Sequence, residues 1–391
     1  MKTRFTDVTL DVDYPIVDAD AHVNEPPDLW RSRVPARWRD RAPRVERTER
    51  GDVWVFDDGK RTRDVGLTAT AGLSYNQFAP SGGRYDTMRP GSFDAKARLA
   101  DMDIDGIHTA VIYPSVTLSG AGVYADEREL QLACVHAYHD WLAEFCEGAD
   151  GRLVGLTVVP TTGVDDAVAA MERGMELGFR GAVISCFPNG TLDPTPEDDR
   201  FWGAAQEAEH PVHIHIGSFT PGATGRTWPR TDDLSFLGRT GSTKAGAQAM
   251  PVASKLVFSE VLEKFPRIRV VLVESNIGWI PTFNEQVDDM FLRYRFFTGG
   301  AERMPRLPSE LFHRNVWATF VVDTVGLELR HRLNLRHLMW STDYPHTSCD
   351  WPNSRVVIER QMRGLPLDEV KLLLHTNAKE LYRLDGLPDR V

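Results

Sequence analysis

Short apolar runs alternate with amphipathic stretches along most of the chain, and this alternation predicts parallel strands joined by helices. Eight apolar runs rich in β-branched residues are predicted as strands: YPIVDAD (14–20), HTAVIYPS (108–115), LVGLTVVP (153–160), GAVISCFP (181–188), PVHIHIG (211–217), IRVVLVES (268–275), NVWATFVVD (315–323) and HLMWSTDYPH (337–346). Helical patterns are predicted over 93–105, 127–147, 164–178, 198–209, 253–266, 282–295 and 325–334. Eight such units predict an α/β fold, a closed (β/α)8 or TIM barrel. An open doubly wound sheet is the alternative, but no G-x-G-x-x-G follows the first run.

Two stretches exceed what a minimal barrel needs. Residues 40–92 contain VERTERGDVWVFDDGKRTRDVG, whose two extended runs around Asp58-Gly59 predict a small β-hairpin inserted after strand one. Residues 217–250 are rich in Gly, Ser, Thr and Pro and follow strand five, so we expect an active-site loop that closes the barrel mouth. Helices are expected after the last strand, and residues 1–391 are expected to form a single barrel domain.

Composition and charge narrow the classes of partner. The chain is 42% hydrophobic and 26% charged, which is typical of soluble globular proteins, and its net charge is −11. A negative surface argues against binding to nucleic acid or to an anionic membrane, and no apolar run reaches the length of a membrane span. The N-terminus lacks the apolar segment of a signal peptide, and the four cysteines are scattered. These features predict a cytoplasmic protein with reduced thiols.

Histidines and carboxylates gather where the predicted strands end. They are Asp20 and His22 in strand one, His213 and His215 in strand five, Glu274 after strand six, and Asp343 and His346 after strand eight. The carboxyl ends of barrel strands meet at one mouth, where active sites of this fold lie. Imidazole nitrogen and carboxylate oxygen together are ligands of a divalent metal. The sequence therefore predicts a metal centre, with Asp20 and His22 on the same face of their strand.

This pattern resembles the amidohydrolase superfamily, and specifically the amidohydrolase-related (family 2) branch that includes aminocarboxymuconate semialdehyde decarboxylase and aromatic-acid decarboxylases. The family's first-strand His-x-His motif, which has a variant with a carboxylate first, is matched by Asp20 and His22. Its Pro-Val-x-Leu-His run matches 211–215 and selects His215, and its Ser-Asp-Tyr-Pro-His run matches 341–346, with one threonine inserted, and selects Asp343. The resemblance covers about 16–384. It implies that these four residues bind one divalent metal ion, with zinc expected and manganese or iron as alternatives.

Two positions depart from the family pattern. Decarboxylases of the branch usually carry a histidine at the end of strand six, where this chain has Glu274. Asp20 replaces the commoner histidine, and taken alone it could simply cap a turn. We interpret Glu274 as a general acid/base or a substrate-orienting group, with pairing to a basic residue as the alternative. Asp343 is expected to alternate between metal ligand and base.

Four further residues have both a functional and a structural interpretation. His346 is a candidate catalytic group, or it bonds the backbone in its Tyr-Pro turn. His213 either contacts the substrate or supports a metal ligand from the side away from the metal. Glu25 faces the substrate or caps the helix that follows it. Arg226, in the loop after strand five, is a candidate to hold an anionic substrate group.

Three functions remain open at this stage. The favoured one is hydrolysis of a small organic substrate, carboxylate-bearing or cyclic, by metal-activated water, because a strand-six glutamate suits water activation. The alternative is non-oxidative decarboxylation of an aromatic or unsaturated carboxylic acid. A barrel that binds a small molecule without turnover is the third. The expected partner is a small-molecule substrate, without nucleic acid or membrane, and a homodimer or higher homo-oligomer is left open.

Overall fold

The apolar runs form parallel strands in the computed structural model, which describes residues 10–116, 124, 126–219, 249–388 and 390. The strands are β1 Val17–Val23, β2 Arg44–Thr48, β3 Gly51–Phe56, β4 Arg61–Asp64, β5 Thr109–Pro114, β6 Leu153–Gly155, β7 Thr157–Val158, β8 Ala182–Val183, β9 Val212–His215, β10 Val270–Val273, β11 Val316–Phe320 and β12 Leu338–Trp340. One parallel sheet has the order β1-β5-β6 and another the order β7-β8-β9-β10-β11-β12. Since β6 and β7 are two halves of one run, separated by Leu156, the strands occupy eight consecutive positions.

The first and last strands lie side by side, as the barrel prediction requires. The Asp343 backbone N–H donates to the carbonyl oxygen of Asp20 at 2.8 Å, and the His22 N–H donates to the carbonyl oxygen of Tyr344 at 2.5 Å. These bonds continue the parallel ladder just beyond the end of β12. The predicted α/β barrel architecture is therefore confirmed, and closure brings the carboxyl ends of β1 and β12 to the same mouth.

Two apolar layers hold the barrel together. Inward-facing side chains fill its interior together with residues of the C-terminal segment: Val17, Ala19, Val111, Val183, Val271, Val273, Met339, Leu381 and Tyr382. A larger layer lies between the strands and the surrounding helices. Because Leu381 and Tyr382 come from the last helix and its end, the C-terminal segment packs into the interior opposite the mouth.

Helices connect the strands and follow the last one. They are Leu29–Arg33, Ala95–Asp105, Arg128–Glu147, Val164–Glu176, Asp199–Glu207, Ala249–Phe258, Val261–Lys264, Ile280–Tyr294, Gly300–Arg303, Pro308–Asn315, Thr324–Glu328, Ser354–Met362, Leu367–Lys371, a π-helical turn Leu372–Thr376, and Asn377–Leu381. The helix predicted over 253–266 is two helices, since Glu260 adopts a φ of 66° between them. The helix predicted over 325–334 is a short helix followed by a 3-10 turn. None of the helices in the described part of the chain is long and apolar enough to cross a membrane.

The insertion after β1 is a three-stranded antiparallel sheet of order β2-β3-β4 rather than a hairpin. The predicted turn joins β3 and β4, where Asp58 has a φ of 55° and Gly59 a φ of 90°. The missed strand β2 pairs with β3 from Arg44 opposite Val55 to Thr48 opposite Gly51. Its charged sequence, RVERT, faces largely outward, so it carries no hydrophobic alternation from which a strand could be predicted.

Candidate metal centre

Strand β1 carries Asp20 and His22 inside the strand, not after its end. We predicted that the strand would finish at Asp20, but it continues to Val23 with every residue buried. A register irregularity between Asp18 and Ala21 interrupts its pairing with β5. The two polar side chains are tolerated in a buried strand because they face other polar groups at the barrel mouth.

Two imidazoles face each other at the centre of this mouth. His22 Nε2 lies 3.0 Å from His215 Nε2. The opposite nitrogen of each ring is fixed by a backbone carbonyl, with His22 Nδ1 3.0 Å from the oxygen of Pro114 and His215 Nδ1 2.9 Å from the oxygen of Ile216. Because Nδ1–H donates in both rings, both Nε2 atoms face the same space, and the neutral form of each ring is the tautomer that metal-binding histidines use.

Three carboxylates surround this pair. Asp20 Oδ1 lies 3.5 Å from both Nε2 atoms, and Asp343 Oδ1 lies 3.4 Å from His22 Nε2. Glu274 Oε2 is 3.9 Å from His215 Nε2. The structure thus brings together five of the seven residues that the sequence selected at the ends of strands one, five, six and eight. Imidazole nitrogens and carboxylate oxygens at these separations could hold a divalent cation.

The local charges fit a cation at this position. Both carboxylate oxygens of Asp20 are fully buried and accept no hydrogen bond from the described residues. Burial alone would lower the pKa of His215, but the carboxylates of Asp20 and Glu274 raise it to about 9. These carboxylates therefore stabilise positive charge next to His215, where a metal ion would also be stabilised.

Backbone strain accompanies two of the carboxylates. Glu274 has a φ of 53° and Asp343 a φ of 60°, in the left-handed region that side chains other than glycine seldom adopt. Such conformations cost on the order of 1–3 kcal/mol and persist where surrounding contacts fix them. The Glu274 N–H donates to Thr319 Oγ1 at 2.8 Å, and the Asp343 N–H donates to the backbone carbonyl oxygen of Asp20. The chain therefore turns sharply after β10 and β12 at the two residues whose carboxylates face the imidazoles.

His346 lies against the same cluster. Its ring stacks on that of His22 with centroids 3.8 Å apart, and its Nδ1 is 3.5 Å from Asp343 Oδ1. Its Nε2 lies 2.7 Å from Ser115 Oγ. The side chain therefore contacts other side chains of the mouth, whereas only its backbone N–H bonds within the Tyr-Pro turn.

His213 lies deeper than the sequence could indicate. It faces the interior as His215 does, but two residues further from the mouth, which is roughly 7 Å along a strand. Its Nδ1 pairs with the Tyr113 hydroxyl at 2.6 Å, and its ring packs 5.6 Å from that of Tyr382 in the C-terminal segment. Because His213 lies beneath the candidate metal ligands, its position favours support of a metal ligand over contact with the substrate.

The two remaining sequence candidates have different outcomes. Glu25 does not cap the helix that follows it; its buried carboxylate oxygens each accept from the Val116 N–H at 3.1 Å. Arg226 lies outside the described residues.

A different arginine reaches the mouth: Arg63 of β4 donates through Nη1 to the Ser115 carbonyl at 3.2 Å. No sequence motif pointed to Arg63. Burial lowers the pKa of His346 to about 3, and the charge of Arg63 acts in the same direction.

Two buried residues behind the cluster also escaped the sequence analysis. Asp18 accepts hydrogen bonds from the Thr342 N–H, at 2.9 Å, and from the Thr342 hydroxyl. Arg98 donates to the carbonyl oxygens of His22 and Gly91. Both residues fix the backbone that carries Asp20, His22 and Asp343, as the supporting partners of metal ligands do. The only signal in the sequence was an acidic residue within an apolar run.

Comparisons with known proteins agree with this architecture. A curated relative, Decarboxylase orsB of Emericella nidulans, is 23% identical over 281 residues, covering 64% of this chain and 76% of that protein. An amidohydrolase from Mycobacterium avium subsp. paratuberculosis has the same fold, with a TM-score of 0.74, 17% identity and coverage of 95% of this chain and 100% of that one. The 5-carboxyvanillate decarboxylase of Novosphingobium aromaticivorans, with bound manganese and 3-methoxy-4-hydroxy-5-nitrobenzoic acid, gives a TM-score of 0.67, 17% identity and coverage of 95% and 97%.

The family match also spans nearly the whole chain. The amidohydrolase family model matches residues 17–384, a range that starts with β1 and ends beyond β12. The four candidate metal ligands and Glu274 all lie within this range. This chain therefore belongs to the amidohydrolase family and is an enzyme of its amidohydrolase-related branch.

Proposed function

We propose that this protein is a metal-dependent decarboxylase that releases CO2 from an aromatic or unsaturated carboxylic acid. The observation that carries the proposal is that a set of candidate metal donors, Asp20, His22, His215 and Asp343, lies at the same mouth as the guanidinium of Arg63. Such a site suits a substrate that brings a carboxylate to a cation. The decarboxylases among the relatives support this reaction better than the hydrolysis that the sequence alone favoured.

Decarboxylation exchanges a carboxylate for a proton at one carbon. A divalent ion held by Asp20, His22, His215 and Asp343 would supply a positive centre for the substrate carboxylate. The substrate carbon that bears the carboxylate takes a proton from a protein carboxyl group. The bond between this carbon and the carboxylate then breaks, its electron pair stays with the carbon, and CO2 leaves. We assign the proton donor to Asp343, which is next to the metal-binding histidines.

We assign to Glu274 a second acid/base role at the mouth, near the Asp343 donor. Ser348 bridges the two carboxylates, since its N–H donates to Asp343 Oδ2 at 3.3 Å and its hydroxyl donates to Glu274 Oε1 at 3.2 Å. Glu274 retains some solvent exposure, whereas Asp343 is almost completely buried. Glu274 is therefore placed to exchange protons with solvent at the mouth, while Ser348 keeps the Glu274 and Asp343 carboxylates close to each other. This role accounts for a titratable group at the position where related decarboxylases carry histidine.

The identity of the metal belongs to the same proposal. Oxygen-rich ligation suits manganese as well as zinc, and the manganese of the Novosphingobium relative supports manganese over the zinc expected from sequence. Elemental analysis of the purified protein would identify the ion. One divalent ion for each chain is the expected result.

The function is tested by following products of the metal-loaded enzyme. We expect CO2 release, with one CO2 for each decarboxylated product, from 5-carboxyvanillate, 2,6-dihydroxybenzoate or a related hydroxybenzoate. Lactones, esters and amides of similar size form the comparison panel. Hydrolysis of that panel without CO2 release would favour hydrolase chemistry. Full metal content with no turnover of either panel would favour a binding barrel.

Removal of the Arg63 charge should weaken substrate binding more than turnover. We expect Arg63→Gln to raise KM about 10- to 100-fold, because a hydrogen bond to a charged group contributes roughly 1.5–3 kcal/mol. Steady-state kinetics on the best substrate measures this. Arg50→Gln is the matched control, since Arg50 is an exposed arginine in the same three-stranded insertion. An unchanged KM in the Arg63 variant would remove this residue from the substrate site.

A further inference from the structure

One helix contacts both sides of the seam at which β1 meets the segment after β12. This helix, Ala95–Asp105, lies between the insertion and β5, and we call it the seam helix. Three of its four buried residues are charged, namely Arg98, Asp101 and Asp105. A helix on the outside of a barrel usually buries an apolar face, and buried charges are costly unless they are paired. The contacts of these three side chains must therefore compensate for their burial.

Arg98 binds the β1 side of the seam. Its Nη2 donates to the carbonyl oxygen of His22, and its Nε donates to the carbonyl oxygen of Gly91 at 2.6 Å. The guanidinium lies over the Tyr344 ring, 4.3 Å from its centroid. A single planar group therefore fixes the backbone of His22 relative to the residue that follows Asp343.

The β12 side of the seam is bound by two carboxylates of the same helix. Asp101 Oδ2 accepts from the Tyr344 hydroxyl at 2.6 Å, and the Asp101 carbonyl accepts from the Trp351 indole N–H at 2.9 Å. One turn further along the helix, Asp105 Oδ1 accepts from the Ser354 N–H at 2.9 Å. These bonds attach the segment after β12 to the seam helix at three points.

The contacts around Asp101 are close and electrically compensated. A Cβ on Gly91 would lie 2.7 Å from the Tyr344 hydroxyl oxygen, so any larger residue there would displace the groups that meet at this point. Arg89 donates to both carboxylate oxygens of Asp101 and lies over the Trp351 ring, 3.6 Å from its centroid. The seam helix is therefore held in one position against the segment after β12.

We propose that Arg98 and Asp101 are positioning residues that set the separation between two candidate metal donors across the seam. These donors are His22 and Asp343, whose Nε2 and Oδ1 atoms lie 3.4 Å apart. They come from two different strands, and a rigid helix bonded to both sides fixes one strand relative to the other. The inference rests on the metal centre of the proposed function, but not on the reaction that takes place there.

An arginine at the other end of the barrel provides a matched comparison. Arg152 also donates to two backbone carbonyl oxygens, those of His108 at 2.8 Å and Ile107 at 3.2 Å. These carbonyls come just before β5, at the end of the barrel opposite the mouth. Arg152 therefore makes the same kind of contact as Arg98 without reaching a candidate metal donor.

Metal titration of Arg98→Lys and Arg152→Lys tests the inference. Lysine keeps the positive charge but replaces the planar fork by a single ammonium group, which cannot hold two carbonyls in the same geometry. We expect the Mn²⁺ dissociation constant to rise about 10- to 100-fold in Arg98→Lys, the range of residues that orient metal ligands. In Arg152→Lys it should stay near that of the unmodified chain. Calorimetry on the metal-free proteins measures both constants.

The visible absorption of the Co²⁺-loaded proteins reports the geometry around the ion, independently of affinity. We expect the bands to change in position or intensity in Arg98→Lys and to match those of the unmodified chain in Arg152→Lys. A loss of folding stability, followed separately by thermal unfolding, does not by itself move these bands. This spectrum therefore distinguishes a positioning role from a purely structural one.

A milder change keeps the inference testable if Arg98→Lys does not fold. Tyr344→Phe removes only the hydroxyl that Asp101 accepts, and it keeps the ring beneath Arg98. Tyr124→Phe is the control, because the buried Tyr124 hydroxyl donates to a backbone carbonyl, that of Arg41, away from the seam. We expect Tyr344→Phe to raise the Mn²⁺ dissociation constant about 2- to 10-fold, the equivalent of one hydrogen bond, and Tyr124→Phe to leave it unchanged.

The outcomes separate this inference from the proposed function. An unmodified chain that binds no divalent ion would overturn both. Unchanged Mn²⁺ affinity and Co²⁺ bands in Arg98→Lys, or unchanged affinity in Tyr344→Phe where only that variant folds, would overturn the positioning role alone. An equal loss of affinity in a variant and its control would overturn it as well, because affinity would then follow the general stability of the fold.

Discussion

Asp343→Asn is expected to lower kcat by about 10²- to 10⁴-fold, the range of a lost general acid or base. An amide has nearly the shape of a carboxyl group but carries no transferable proton. Asparagine also tolerates left-handed backbone well, so the φ of 60° at this position should be retained. The fold should therefore remain intact, and the loss should appear in turnover.

Steady-state CO2 release, thermal unfolding and metal content, measured on the same preparation, separate the roles of Asp343. The surface variant Asp193→Asn is the control, because Asp193 is an exposed carboxylate paired with Lys255. Unchanged kcat in the Asp343 variant would end its assignment as proton donor. A loss of metal in proportion to activity would instead make Asp343 a ligand alone.

His215→Ala should deplete the enzyme of metal, whereas His213→Ala should not. Both variants remove a buried imidazole from β9, so their costs to packing are comparable. Only His215 directs Nε2 at the other donors, while His213 pairs with Tyr113 beneath them. We expect His215→Ala to lower metal affinity by more than the 10- to 100-fold typical of residues that support a ligand.

Calorimetric titration of the metal-free variants with Mn²⁺ and Zn²⁺ measures this difference. The companion variant His22→Ala should behave like His215→Ala, since His22 Nε2 faces the same space. Equal losses for His213→Ala and His215→Ala would mean that affinity follows the integrity of β9 rather than ligation. The metal centre would then have to be sought elsewhere.

The barrel could be predicted because its strands are buried and its connections are regular. Each apolar run met the length and spacing of a parallel strand, and closure followed from their number. The convergence of Asp20, His215 and Asp343 at one mouth followed from the same rule, since each comes at or near the carboxyl end of a run. The strand β2 was missed because Arg44 to Thr48 faces largely outward, where selection for apolar side chains is absent.

The sequence could not predict how deep each residue lies in the barrel or which residues distant in sequence contact each other. The alternation of side chains shows which face of a strand a residue lies on, but not how far it lies from the barrel mouth. His213 and His215 therefore looked equivalent in the sequence, although only His215 reaches the other donors. Arg63 comes from an insertion whose docking on the barrel no local pattern encodes. Arg98 contacts the carbonyl of His22 across 76 residues, and a single charged residue in a helix gives no sign of its burial.

The pairing of β1 with the end of β12 means that synthesis of the chain must be nearly complete before the barrel can close. Asp18 and Thr342, which bond across this seam, are 324 residues apart. At a ribosomal rate of about 5–20 residues per second, the segment after β12 is synthesised roughly 15–65 seconds later than β1. Until then its edge is unpaired, and Asp20 and His22 have no Asp343 beside them. Complete metal loading therefore follows the emergence of the C-terminal part from the ribosome, and a nascent chain stalled before β12 would carry an open strand edge that invites aggregation.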